Sequence, residues 1–448
     1  MDDNNKKISL LEAVSIWVWW MVWWWIFAVL WEAVLLWHSA TPIAFLFAWI
    51  IAILTWYSYA KLSVAYPSEW WTIMFLFKAF WKNIFTQSFN LILWMSYMVT
   101  ISLYALAFGS YLLTFFPWYM WNELVKHIFI TLAILLPTIL NLFDWKTIAK
   151  YEFYIVWLKV LILLFILVVW LNYIEPSHFS NIFNEKPFSI VIAGMVIFVA
   201  YEWFELIANS AKEILNPTKN LPIAYYISTI SVTLLYVLIA ILVVWTLNEA
   251  TIVKTSDYAL AEATKPALWV FWFKLVWIAA ILATLSAINA TIYWNARLWY
   301  SLAVDRELPS YFSKKIGNNT YLGVVLVWII SIFMANLIDL TSISVIASAG
   351  FLLIFSFVNL SALKKSSSIK AKKIIVIPSI ILTFWALFIL LFETYNTNKL
   401  AIYLFLWILL FSVLFEWIYW VTKDEQIARL NKVKNHFKNI YSKILKNK

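Results

Sequence analysis

Apolar runs of about 20 residues recur from one end of this chain to the other, and each is long enough to cross a bilayer as a helix. Twelve such spans are read, at about 9–37, 41–65, 84–116, 124–143, 151–173, 188–210, 222–247, 268–302, 321–338, 341–363, 374–393 and 400–421. The first and the eighth are too long for simple perpendicular helices, so tilt or interruption is expected there. Of the 448 residues 64% are hydrophobic and 12% charged. A soluble domain carries about twice that charged fraction. The fold class is therefore an all-α, polytopic integral membrane protein.

What the sequence lacks narrows the chemistry. Cysteine is absent, which removes disulfides and thiolate catalysis. His38, His127, His178 and His436 lie far apart, so no metal centre and no His-based catalytic site is expected, and no cofactor. The polar start MDDNNKKIS runs straight into a full-length span, with no cleavable signal peptide evident. No G-x-x-x-x-G-K-[ST] loop is present, which disfavours pumping driven by ATP.

Basic residues set the expected orientation. With the N-terminus inside, the inward segments hold Lys6, Lys7, Lys61, Lys146, Lys150, Arg306, Lys372 and many others, and the tail adds more. The outward segments hold Lys126, Lys186, Lys254, Lys265, Lys274 and Lys399. The positive-inside rule then puts both termini in the cytoplasm, at the cytoplasmic membrane. The net charge of +10 owes much to the basic tail 422–448. That tail reads as an extension lying near anionic lipid and not as a nucleic-acid binder. One basic residue belongs to neither side: Lys159, inside the fifth span.

Trp occurs 31 times and Gly 5 times. Membrane helices ordinarily use Gly freely, since close helix contacts and interruptions require it. The stretch SIWVWWMVWWWIF, Ser15 to Phe27, puts Trp in mid-membrane, where the residue is ordinarily found at the rims. SEWWTIMFLFKAFW puts two where a loop calls for turn residues, AYEWFEL places Trp203 at an expected helix break, and NATIYWNARLWY places Trp294 on a helix that should pack closely. A gene that reads the codon UGA as glycine, translated with a table that reads it as tryptophan, gives this pattern. The alternative is a protein genuinely rich in Trp.

With most of these Trp read as Gly, three segments resemble the amino acid–polyamine–organocation (APC) transporter superfamily. The first span becomes SIGVGGMVGGGIFAVLGEA, which is similar to that superfamily's glycine-rich first helix with its G-x-G-I-F signature. The sixth becomes FVAYEGFELIANSAKEILNPTKNLPIA, similar to the sixth helix and its NP-x-x-N-x-P loop. The eighth becomes LSAINATIYGNARLGYSLAVDRELP, similar to the eighth helix and its cytoplasmic exit. The resemblance implies two five-helix repeats of opposite topology (a LeuT-like core), at about 9–173 and 188–363. Two further helices, at about 374–421, would complete a single transporter domain over 1–421. Helices one and six would be broken near the midplane, and paired interrupted spans point to a transporter site.

The resemblance also implies a site. Free backbone N–H groups at a half-helix N-terminus suit a substrate carboxylate, and free carbonyls at a half-helix C-terminus suit its ammonium. Trp23, Trp24 and Trp25 occupy the carboxylate-binding positions, and Met21 offers a carbonyl to the amine. On the sixth helix the matching carbonyl positions are Val199, Ala200 and Glu202, flanking Trp203. Lys159 resembles a lysine whose amine replaces a sodium ion in some members, with the Trp19 carbonyl and the Ser286 hydroxyl as neighbours. A charged group at that depth is costly and usually functional, which marks Lys159 as a proton carrier. The alternative is a lysine that snorkels to the inner rim. Glu205 shares a helix face with Glu202 and is a candidate for gating or a second proton step, or a structural carboxylate capping backbone donors.

The expected function is secondary active import of amino acids with protons by alternating access. An amino acid or amine exchanger is the alternative. A membrane-embedded enzyme lacks plausible catalytic machinery here, and a channel favours a continuous pore over inverted repeats. The partners are a small amino acid or amine, protons and the bilayer, with no nucleic acid.

Overall fold

The computed structural model describes residues 8–22, 40–67, 71–119, 122–143, 187–212, 214–246, 265–314 and 321–446, with isolated positions between them. Its elements are α1 (Leu10–Val22), α2 (Thr41–Ala65), α3 (Trp71–Phe80), α4 (Ile84–Leu113), α5 (Glu123–Phe143), α6 (Pro187–Val196), a 3-10 helix at Ile197–Lys212, α7 (Pro217–Thr246), α8 (Lys265–Val304), α9 (Tyr321–Leu337), α10 (Leu340–Lys364), α11 (Lys373–Thr397) and α12 (Lys399–Lys446). Among the described residues there is no strand, only an isolated parallel bridge between Ile8 and Ile214. Among the described residues, seven helices are long and apolar enough to cross a membrane. The fifth span, 151–173, lies almost wholly outside the described residues.

Burial ranks the helices. The most apolar window of α4 is 100% buried inside the protein, against 39% for α11 and 33% for α12. So α4 is the central helix, and α11, α12 and α5 (28% buried) are peripheral and present bare apolar side chains. α4 packs against α8, α10, α5, α9 and α12, while α2 packs against α7, α6 and the 3-10 helix. Polar caps fix the ends. Asn83 accepts the Thr86 N–H at 3.0 Å and Thr86 Oγ1 accepts the Asn83 N–H at 3.1 Å, a capping box that starts α4. Asp339 accepts the Ser342 N–H at 2.8 Å and starts α10.

Two expectations are adjusted. The stretch around SEWWTIMFLFKAFW, expected as a loop, contains the helix α3. Its side chains Ile73, Phe75, Leu76 and Ala79 are buried, and burial of that apolar face holds the segment as a helix. The long eighth span is one continuous α-helix, Lys265–Val304, so its length is not taken up by a break. The sixth span does change character: α6 ends at Val196 and the chain continues as a 3-10 helix of 16 residues. Runs of 3-10 beyond three or four residues are uncommon, and in mid-helix they mark hinges or functional strain.

Candidate functional site

The junction at Val196 is the place to start. A switch from i→i−4 to i→i−3 bonding disturbs the carbonyls around it. The Val196 carbonyl accepts hydrogen bonds from the α10 hydroxyls of Ser348 at 2.7 Å and Ser344 at 3.4 Å. Just beyond, Ala200 is buried and Tyr201 donates its hydroxyl to the Phe45 carbonyl of α2 at 3.0 Å. Phe204 is wedged between Tyr59, Trp56 and Phe355, with ring centroids 5.3, 5.6 and 4.8 Å away. The tightly wound segment is thus held from both sides, by α2 and by α10.

Two carboxylates stand on this segment, and both are fully buried. Glu205 accepts from three hydroxyls. Tyr97 of α4 donates to Oε1, and Tyr59 of α2 and Thr72 of α3 donate to Oε2 at 3.2 and 3.3 Å. Tyr59 and Thr72 are themselves 3.1 Å apart. Glu202 accepts from Thr100 at 3.3 Å and from Tyr104 at 3.4 Å, both on α4. Trp203 donates its indole N–H to the Tyr104 hydroxyl at 2.7 Å. No described Lys, Arg or His pairs with either carboxylate. A buried ionisable group in a membrane-spanning segment is costly and usually marks function.

Of the residues singled out by sequence, the structure brings together Ala200, Glu202, Trp203 and Glu205. Val199 lies on the same segment. Trp19 and Met21 lie on the last turns of α1, and Ser286 is buried on α8. Trp23, Trp24, Trp25 and Lys159 lie outside the described residues. The partners Tyr59, Thr72, Tyr97, Thr100 and Tyr104 were missed. Tyr97, Thr100 and Tyr104 fall at i, i+3 and i+7 along α4, but Asn90, Ser96, Ser102 and Ser110 share that span, so nothing in the sequence set the three apart. Glu205 meets side-chain hydroxyls, not the backbone donors that were one of the two expectations for it.

Tryptophan at these positions is expected to crowd the midplane and leave open space elsewhere. A cavity of about 610 Å³ is lined by Trp94, Trp299, Phe312, Phe333, Trp407 and Phe411, among others. A second, of about 290 Å³, is lined in part by Glu123, Lys126, His127, Asn336 and Asp339. Neither is lined by a residue of the Ile197–Lys212 segment.

Comparison with known proteins supplies the family. The chain matches the profile of the amino acid permease family over residues 12–422. It is 34% identical over 422 residues to an uncharacterized protein of Methanocaldococcus jannaschii, MJ0609, covering 93% of this chain and 96% of that one. It is 28% identical over 370 residues to the inner membrane transport protein YbaT of Escherichia coli, covering 83% and 86%. It is 22% identical over 233 residues to the methylthioribose transporter of Bacillus subtilis, covering 50% of each. The match runs nearly the length of the chain, through the segment that carries the paired carboxylates: this chain belongs to the amino acid permease family of membrane transporters.

Proposed function

We propose that the protein imports amino acids across the cytoplasmic membrane by proton-coupled symport, alternating access around a site between the first and sixth spans. The observation that carries the reading is the Val196 junction. A spanning segment changes helix type there, its carbonyl is held by two serines, and two buried carboxylates follow within three turns. Amino acid permease kinship and relatives named as transporters support it. The backbone at Trp23, Trp24 and Trp25 takes the substrate carboxylate. The carbonyls of Met21, Val199, Ala200 and Glu202 take its ammonium.

Lys159 carries the proton, with the Trp19 carbonyl and the Ser286 hydroxyl receiving its ammonium, and Glu205 serves a gating or second proton step. The fold that goes with this reading is the 5+5 inverted repeat with two added helices. The decisive experiment is uptake into proteoliposomes with imposed pH and sodium gradients. Saturable accumulation that follows the proton gradient and is abolished in Lys159→Ala supports the reading. Accumulation by Lys159→Ala with its full pH dependence refutes the coupling role, and strict dependence on an internal amino acid favours the exchanger.

Most of the 31 tryptophans are read as glycine in the cell that makes the protein. Two structural observations support this. Trp81, just past the end of α3, has φ 67°, the left-handed conformation in which helices close on glycine. Trp49, Trp56 and Trp299 bury indole N–H groups that have no acceptor among the described residues. A buried donor of this kind costs about 1–3 kcal/mol. Intact-mass and peptide spectrometry of the protein from its own cells decides the matter, and tryptophan at position 81 in those peptides overturns the glycine reading there.

A further inference from the structure

The corner between α10 and α11 gathers positive charge that no nearby acid in the sequence offsets. The connection reads KKSSSIKAKK, with Lys364, Lys365, Lys370, Lys372 and Lys373, and the chain holds no acidic residue between Asp339 and Glu393. Helix α2, which packs against both α10 and α11, contains none either. Among the described residues, none of these lysines pairs with a carboxylate. Like charges gathered in one place repel and oppose the compact state, so such a cluster calls for an anionic partner.

The cluster is held in a fixed shape. Turn bonds run from the Ser368 N–H to the Lys365 carbonyl and from the Ala371 N–H to the Ser366 carbonyl, both at 2.9 Å. Ile369 is buried beneath the turn and anchors it. Helix α2 fastens it at two more points. The Tyr66 hydroxyl lies 3.3 Å from Ser368 Oγ, and the Lys372 N–H donates to the Tyr57 hydroxyl at 2.7 Å. That last bond brings in a further cation, because the Lys61 ammonium stands 5.8 Å from the centre of the same Tyr57 ring. Cations from α2, from the end of α10 and from the start of α11 thus share one stretch of membrane rim, since all three helices are spanning helices. Next along α11, Ile374, Ile377 and Ile381 are exposed at spacings of three and four, an apolar stripe that leads from the lysines into the bilayer.

We propose that this corner is a binding site for an anionic phospholipid, with the headgroup phosphate among the lysines of 364–373 and Lys61 and a hydrocarbon chain along Ile374, Ile377 and Ile381. The two halves of the site together select the occupant. A free anion would use the cations and leave the stripe uncovered. A zwitterionic lipid would cover the stripe but bring its own ammonium against the lysines. An anionic lipid satisfies both. The site lies apart from the Val196 junction, and its test needs no transported substrate.

The test is lipid retention by the purified full chain, read by native mass spectrometry in equal mixtures of phosphatidylglycerol and phosphatidylcholine with identical chains. The expected result is a preference for phosphatidylglycerol of about fivefold or more, falling to near parity when Lys370→Gln, Lys372→Gln and Lys373→Gln are combined. All three side chains are exposed, and arginine at the same positions should keep the preference. Neutralising the lysines of the tail 422–448 should leave it in place. Equal retention of the two lipids by the unsubstituted protein overturns the inference. So does a preference that vanishes with the tail lysines and survives the loop variant. Thermal unfolding supplies a second readout: inorganic phosphate that stabilises as well as phosphatidylglycerol would show a free-anion site and overturn the lipid assignment. Should the glutamine variant fail to fold, the unsubstituted and tail-neutralised proteins still decide.

Discussion

Trp203 gives its indole N–H to the Tyr104 hydroxyl at 2.7 Å, tying the tightly wound sixth span to the central helix α4. Both side chains are buried, and Tyr104 also reaches Glu202. This bond ties together two elements that, on the proposed alternating-access reading, move relative to one another. Trp203→Gly is therefore expected to raise the transport rate several-fold while lowering the unfolding free energy by about 3–5 kcal/mol, since it removes a buried aromatic and a hydrogen bond. Trp203→Phe keeps the bulk without the N–H and should leave transport low. Uptake rates and thermal unfolding measured on the two variants check the pair. A Trp203→Gly protein slower than Trp203→Phe sinks the idea.

The Tyr97 hydroxyl is one of three that satisfy Glu205. Tyr97→Phe keeps the ring and its edge contact with Phe351, so packing survives and a single donor is lost. A buried carboxylate deprived of one donor is expected to cost about 1.5–3 kcal/mol of stability. Glu205→Gln leaves the hydroxyls without a charge to bind and should cost less, because an amide oxygen still accepts. The double variant should then be less destabilised than the sum of the singles, because the two groups act on each other. Additivity in a double-mutant cycle would argue that the two do not interact.

How far the sequence carried this picture depends on the range of each interaction. Span positions were legible because each follows from a local run of apolar residues, and α2, α4, α7 and α10 fall where the hydropathy puts them. Helix α3 was obscured because its pattern is short and bracketed by Trp70, Trp71 and Trp81. Glu202 and Glu205 were visible as charges in a span, but not their partners. Tyr59, Thr72 and Tyr97 stand 146, 133 and 108 residues away from Glu205 along the chain, and no local pattern records such pairings.

Glycine spacing gives a prediction that separates true glycines from misread ones. A Cβ at Gly194 would lie 2.9 Å from the Ala44 carbonyl oxygen, and one at Gly323 would lie 2.9 Å from that of Ala296. Both contacts are with backbone, which cannot swing aside. Gly194→Ala and Gly323→Ala are each expected to destabilise by about 1–3 kcal/mol through overpacking. Trp81→Gly should do the opposite. Its side chain is 80% exposed, so little packing is lost, and relief of the left-handed strain gives about 1–2 kcal/mol. Thermal unfolding in detergent reads all three, and a Trp81→Gly protein no more stable than Trp81→Ala would remove the strain argument.

Beyond the end of α8, Glu307 is 1% exposed and meets the Lys82 ammonium at 3.1 Å and the Asn90 amide at 2.7 Å. Lys82 also donates to the Asp305 carbonyl at 2.7 Å, so the start of α4 is fastened to the segment that leaves α8. Burial pushes the Glu307 carboxyl above the ordinary carboxylate range, and the Lys82 charge and the Asn90 amide pull it part of the way back. A carboxyl that holds its proton more firmly in the folded protein makes the fold lose stability as pH rises through the window between its ordinary and folded values. Lys82→Ala removes the cation that offsets this and is expected to cost about 1–3 kcal/mol near neutral pH. The loss should shrink on acidification, because protonated Glu307 no longer needs a cation. Glu307→Gln should flatten the pH dependence and make Lys82→Ala nearly silent in the double variant. Unfolding measured from pH 4 to pH 8 in the four proteins tests this, and a Lys82→Ala penalty that stays constant across the range would show that the ion pair is not its source.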